Sequence, residues 1–222
     1  IDPDTISDLV KSFNKKFKNK MQLIVDAVQG SSANPWATKV SINLAKKLER
    51  EEIVFLEEPC RVENIKGYKD IKKFSTLNIA GAESIPTARA FKKYLEEDVF
   101  DILQFDIATS GFIEGRRICD LAYIHNKPVA IHSWGSAISI MAGIHLGLTV
   151  PNVAFTEYCF MDHPINKELF ENKKIKINNG YTPRPNCHGL GVHFKDILSK
   201  KFQYKEKINT MISTKNDEIK LK

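Results

Sequence analysis

Six acidic or histidine residues punctuate this chain at a nearly constant step, each closing a short apolar run. They are Asp26, Glu57, Glu83, Asp106, His132 and Glu157, separated by 31, 26, 23, 26 and 25 residues. A step of that length holds one strand, one loop and one helix. The runs Leu23 to Val28, Ile53 to Leu56, Leu77 to Glu83, Phe100 to Ile107, Val129 to His132 and Val153 to Tyr158 read as buried strands. Between them the apolar period changes to that of helices. One helix is expected from about Trp36 to Arg50, a short one around Tyr68 to Lys73, and others opening at Pro86, Gly111 and Ser136. A further helix precedes the first strand, with Ile6, Leu9, Val10, Phe13 and Phe17 on one face.

Strands alternating with helices make a parallel sheet with helices outside it. An open dinucleotide-binding sheet would carry a glycine-rich phosphate turn after its first strand, and no G-x-G-x-x-G occurs. A (β/α)8 TIM barrel instead gathers its chemistry from many strand ends at one face. Ionisable groups on all six strand ends favour the barrel. A complete barrel needs eight units and about 250 residues, so two strands with their connections are expected upstream of Ile1. Residues 1–165 are then a partial barrel carrying strands three to eight. Residues 166–222, polar and irregular, form a tail expected to pack back toward a missing N-terminal domain.

At 222 residues and 42% hydrophobic the chain can bury one large core. Net charge is +6, but the lysines fall in scattered pairs such as Lys46-Lys47, Lys72-Lys73, Lys92-Lys93 and Lys173-Lys174. That is the pattern of solvated helix faces and excludes a nucleic-acid stripe. Cys60, Cys119, Cys159 and Cys187 show no metal or redox spacing, which points to free thiols in a reducing, cytoplasmic setting. No apolar run reaches membrane-spanning length. The opening Ile1-Asp2-Pro3-Asp4 resembles neither a signal peptide nor a start site, and the chain is expected to be part of something longer.

The chemistry follows from strand spacing. Adjacent strands lie about 4.8 Å apart, so Asp26, Glu57 and Glu83 on consecutive strands can share one small volume. Like charges that close need a cation, and three hard oxygen donors point to Mg²⁺. On the next two strands, Asp106 can fix the tautomer of His132 and raise its basicity, making an acid–base dyad. Glu157 is expected to stay protonated and donate to a developing oxyanion. Glu58 is expected to orient its neighbours, His145 to sit in the core, and His163 in a loop.

Val25-Asp26-Ala27, Leu56-Glu57-Glu58-Pro59, Ala80-Gly81-Ala82-Glu83-Ser84, Gln104-Phe105-Asp106 with Gly111, and Ile131-His132-Ser133-Trp134-Gly135-Ser136 together resemble the enolase superfamily. Within it the chain is similar to the mandelate racemase subgroup, and there to the sugar-acid dehydratases. The resemblance runs from about Leu9 to Phe194. It implies the C-terminal barrel of that superfamily, with the first two strands and an N-terminal capping domain lacking. It implies Mg²⁺ on Asp26, Glu57 and Glu83, catalysis by His132 with Asp106, and contact between Glu157 and a substrate carboxylate. The implied reaction dehydrates an aldonate to a 2-keto-3-deoxy acid in a cytoplasmic homo-oligomer. A racemase or epimerase of 2-hydroxy acids would use the same residues, and a non-catalytic barrel homologue is the reading of another class. The chain departs from the family in having Asp26-Ala27-Val28 where Asp-x-Asn is usual, so a polar contact is lost or moved to Gln29. It has no lysine in Ile107 to Ser110, unlike the muconate-cycloisomerase-like subgroup. The Lys-x-Lys pair of the family's second strand would precede Ile1, so the resemblance implies that the α-proton leaves to either His132 or a group on that strand, with His132 as the acid that helps the β-hydroxyl depart.

Overall fold

A computed structural model describes residues 2–17, 20–160, 164–170, 175–194 and 196–203. His163, Lys173-Lys174 and the tail beyond residue 203 lie outside the described residues. The helix α1 (Pro3–Phe17) leads into β1 (Leu23–Asp26), and the chain then alternates through α2 (Thr38–Leu48), β2 (Ile53–Glu57), α3 (Ile65–Phe74), β3 (Ile79–Gly81), α4 (Ala88–Glu96), β4 (Ile102–Asp106), α5 (Ile107–Ile124), β5 (Val129–His132), α6 (Ala137–Gly147) and β6 (Val153–Thr156). All neighbouring strands pair in parallel and in sequence order, β1 to β6. The sheet curls enough for Phe55 of β2 and Phe155 of β6 to approach with ring centroids 6.3 Å apart. The result is a six-stranded parallel α/β half-barrel.

Two apolar layers follow from the alternation of side chains along each strand. Val25, Leu56, Ile79, Leu103, Phe105, Val129 and Ile131 face outward into the main core beneath the helices. Phe55, Ala80, Ile102 and Ala130 face inward and pack together with Phe155. The inward positions two residues further on are Glu57, Gln104, His132 and Glu157, so the same parity that fills the barrel floor lifts polar groups to its rim. β3 breaks the parity. Ala82, two beyond Ala80, joins the outer core, because its backbone is left-handed at φ 88°. That turn shifts the count by one and brings Glu83 to the rim.

Helix starts are set locally. Asp2 accepts the Thr5 N–H at 3.0 Å, Asn64 the Gly67 N–H at 3.0 Å and Thr87 the Ala90 N–H at 3.3 Å, each satisfying an orphan donor of the first turn. α5 opens with a turn capped by Asp106 and is broken at Gly111 (φ 67°, ψ −177°), beyond which its longer regular stretch runs, where the sequence places the helix. The paired strands are shorter than the apolar runs suggest, most clearly β3. The tail also differs from expectation. It contributes two short helices, α7 (Pro164–Leu169) and α8 (Asp196–Lys201), and Leu169 and Leu198 pack against Ala137 of α6. Among the described residues no helix is long and apolar enough to cross a membrane.

Candidate active site

At the C-terminal ends of the strands lies a cavity of about 560 Å³ lined by Asp26, Glu57, Glu83, His132 and Glu157, with Gln104, Trp134 and Thr156 beside them. Ile24, Phe55, Ala130 and Phe155 form its apolar floor. Register explains the convergence: Asp26 pairs with Glu57, Glu57 with Ala80, and Asp106 with His132.

Asp106 serves two elements at once. Its Oδ1 accepts the Thr109 N–H at 2.6 Å and caps α5, while its Oδ2 lies 2.6 Å from His132 Nδ1. The ring's other nitrogen, Nε2, faces two carboxylates, 3.2 Å from Glu83 Oε2 and 3.6 Å from Glu157 Oε2. Burial alone would lower the histidine's pKa. The hydrogen bond to Asp106 and the charges of Glu83 and Glu157 outweigh it, and the net shift is upward. Glu157 is held in turn: its Oε2 accepts the Ser133 N–H at 2.9 Å, and its carbonyl accepts the Ser133 hydroxyl at 2.6 Å.

The three acids on β1 to β3 are electrostatically crowded. Burial, then the charge of Asp26, pushes Glu57 up to about 8, against a hydrogen bond from Gln104. Asp26 is raised by burial against the Val28 N–H, which its Oδ1 accepts at 2.8 Å. Glu83 is raised by burial too, against the attraction of His132. Among the described residues no three acid, histidine or cysteine side chains are gathered tightly enough to hold an ion as they stand. Glu83 leans toward His132, and mutual repulsion works against closer approach. The donor set nevertheless fits a hard divalent cation. Carboxylate oxygens from three adjacent strand ends share one cavity, and a cation would offset the burial that chiefly raises their pKa values as well as their like charge.

Gln29 does not supply a polar contact in place of the family's asparagine. Its Nε2 donates to the Ala27 carbonyl at 2.8 Å and its Oε1 accepts the Trp36 N–H at 2.9 Å, so the amide is committed to shaping the loop. Val28 is left-handed at φ 53° and 62% exposed. Gln104, which in the sequence carries no role beyond its place in the Gln104-Phe105-Asp106 motif, lines the cavity and is buried. The available signal was a lone polar residue in a buried strand, two positions before Asp106. His145 is half-buried, 4.0 Å from Cys187.

Comparison with known proteins places the chain by family and fold. The family model described as "Enolase C-terminal domain-like" matches residues 2–197. The D-galactonate dehydratase family member RspA of Pantoea ananatis is 26% identical over 205 residues, covering 90% of this chain and 48% of its own length. The D-xylonate dehydratase of Haloferax volcanii is 31% identical over 150 residues, covering 67% of this chain and 36% of its own. The crystal structure of the 3,6-anhydro-D-galactonate cycloisomerase from Zobellia galactanivorans superposes with a TM-score of 0.82 at 28% identity, over 92% of this chain and 57% of that one. The chain spans about half the length of the curated relatives it matches. With the model matching nearly from end to end of the described structure, the chain belongs to the enolase C-terminal domain-like family.

Proposed function

We propose that this chain carries the acid–base and cation-binding face of an Mg²⁺-dependent sugar-acid dehydratase, acting on an aldonate. The observation that carries the reading is the His132–Asp106 pair set across one cavity from Asp26, Glu57 and Glu83. Those three acids would hold Mg²⁺, which when bound supplies positive charge against the substrate carboxylate and acidifies the neighbouring C–H.

His132 is the proton carrier. With Nδ1–H donating to Asp106, its Nε2 lone pair faces the cavity and removes the proton from C2. The imidazolium so formed is stabilised by Asp106, and it returns a proton to the C3 hydroxyl, which departs as water. The substrate has then lost one hydrogen from C2 and one hydroxyl from C3, and the resulting enol becomes a 2-keto-3-deoxy acid. Glu157, fixed by Ser133, faces the substrate carboxylate. The apolar floor keeps water from below the reacting carbons. The reading places the protein in the cytoplasm, as a homo-oligomer, with a small sugar acid as its partner and neither nucleic acid nor membrane.

Epimerases share the first step, and the sugar-acid dehydratases among the relatives favour elimination. Incubating the full chain with a set of aldonic and aldaric acids and Mg²⁺, followed by semicarbazide, should yield the ketone adduct. Adding a chelator or replacing His132→Asn should abolish it. A recovered epimer without ketone would replace dehydration by epimerisation. Ketone formation by His132→Asn at the wild-type rate would remove the histidine from the mechanism.

A further inference from the structure

Glu58 follows Glu57 directly but turns away from the cavity. It is 3% exposed, and its backbone is left-handed at φ 40°, a conformation that residues other than glycine rarely adopt. Strand parity holds Glu57 at the rim, and the left-handed backbone at Glu58 accompanies a side chain that lies between strand ends instead. The carboxyl group rests on Gly30: a Cβ built there would stand 1.9 Å from Glu58 Oε2 and 2.3 Å from Oε1. A Cβ on Gly81, on the other side, would stand 3.3 Å from Glu58 Cγ. Gly30 thus makes room for the carboxyl group, and Gly81, where a Cβ would also stand 3.1 Å from Phe100 Cε1, makes room for the stem of the same side chain. The main chain of Glu58 ties the same elements: its N–H donates to Ala80 O at 3.0 Å, and its carbonyl accepts the Gln29 N–H at 2.9 Å. Oε1 is fully buried and has no hydrogen-bond partner among the described residues. The carboxyl group also accepts a hydrogen bond from the Ala82 backbone, so an apolar side chain would fill the space without the unpartnered oxygen but would leave the Ala82 N–H without its acceptor.

We propose that Glu58 is a positioning residue, whose side chain, wedged between Gly30 and Gly81, sets the spacing of the strand ends that carry Asp26, Glu57 and Glu83. The proposal rests on the reading of those three acids as donors to a divalent cation. Without the wedge, both flanking sites are glycines, the residues with most backbone freedom, and the loop after β1 can settle toward β3.

Mn²⁺ binding to the full chain, followed by the electron paramagnetic resonance of the free ion, tests this without substrate or turnover. Glu58→Ala should weaken Mn²⁺ binding about 10- to 100-fold, the usual effect of losing a group that orients metal ligands. Gly30→Ala, which displaces the carboxyl group while leaving Glu58 in place, should weaken it too. Glu58→Gln keeps the shape and an acceptor oxygen, and should bind within about threefold of wild type. Ile118→Ala, in the core under α5, should lower the melting temperature without changing affinity. Wild-type affinity in Glu58→Ala, equal weakening in Ile118→Ala, or Glu58→Gln as weak as Glu58→Ala would overturn the role. Absence of Mn²⁺ binding by the wild-type chain would instead remove the cation site itself, and Glu58's role with it.

Discussion

Asp106 joins the fold to the chemistry, and its two oxygens can be separated by substitution. Oδ1 caps α5 through Thr109, and Oδ2 holds His132 Nδ1, both at 2.6 Å. Asp106→Asn retains an oxygen for the cap but turns an NH₂ donor toward the ring. Nδ1 must then accept, the ring proton moves to Nε2, and the lone pair facing the cavity is lost. Asp106→Ala removes both contacts. An N-cap contributes about 1 kcal/mol, so the alanine variant should melt below the asparagine variant by about 2–4 °C in a chain of this length. Activity should fall in both; in a serine-protease triad the equivalent tautomer error costs about 10⁴-fold. Melting followed by circular dichroism gives the first comparison. Imidazole ¹⁵N shifts, recorded at a pH high enough to hold the ring neutral, give the second: proton on Nδ1 in wild type, on Nε2 in Asp106→Asn. Equal melting of the two variants, or an unchanged tautomer in Asp106→Asn, would refute the division of labour.

Gly115→Ala sets helix propensity against packing. Alanine favours the helix by about 1 kcal/mol, but its Cβ would stand 2.7 Å from Phe105 and 2.8 Å from Leu146, both buried. Overpacking of this kind costs about 1–3 kcal/mol, so urea unfolding should show a net loss, relieved by Phe105→Leu; a more stable Gly115→Ala would mean that the ring yields freely. For pH, burial raises Asp98, but hydrogen bonds from Lys127 and Lys72 outweigh it and hold its pKa below the ordinary 3.8. A carboxylate with a depressed folded-state pKa stabilises the fold above 3.8, and that contribution disappears as pH falls through the lower, folded value. The Asp98 side chain is 64% exposed, although Lys72 and Lys127 are largely buried, so Asp98→Asn should destabilise by no more than about 1 kcal/mol at pH 7. Its melting curve should merge with that of wild type in strong acid, and a gap that widens there would contradict the sign.

The alternation of strands and helices was legible because burial on both faces makes each strand a continuous apolar run. The rim acids were legible because each interrupts such a run at its end. Strand ends were not. The run from Leu77 to Glu83 pairs only over Ile79–Gly81, since the left-handed turn at Ala82 is a backbone event that an alanine does not advertise. α7 and α8 have six residues each, too few turns for a periodic signal; Leu169 and Leu198 serve as anchors only once α6 lies beneath them. Side-chain direction was equally hidden. Spacing brought Glu83 to the cavity, but whether it leans toward Asp26 or toward His132 depends on charge balance across strands. The Gln29 amide, tied to Ala27 and Trp36, shows the same limit, because its partners are set by loop shape.

The most direct measurement is deuterium exchange at C2 of aldonic acids in D₂O with Mg²⁺, followed by proton NMR on the full chain. Wild type should wash deuterium into, or eliminate from, at least one acid, and His132→Asn should leave every C2 proton in place. No exchange or elimination by wild type with any acid, or equal exchange by His132→Asn, would contradict a histidine proton carrier facing a carboxylate-bound cation.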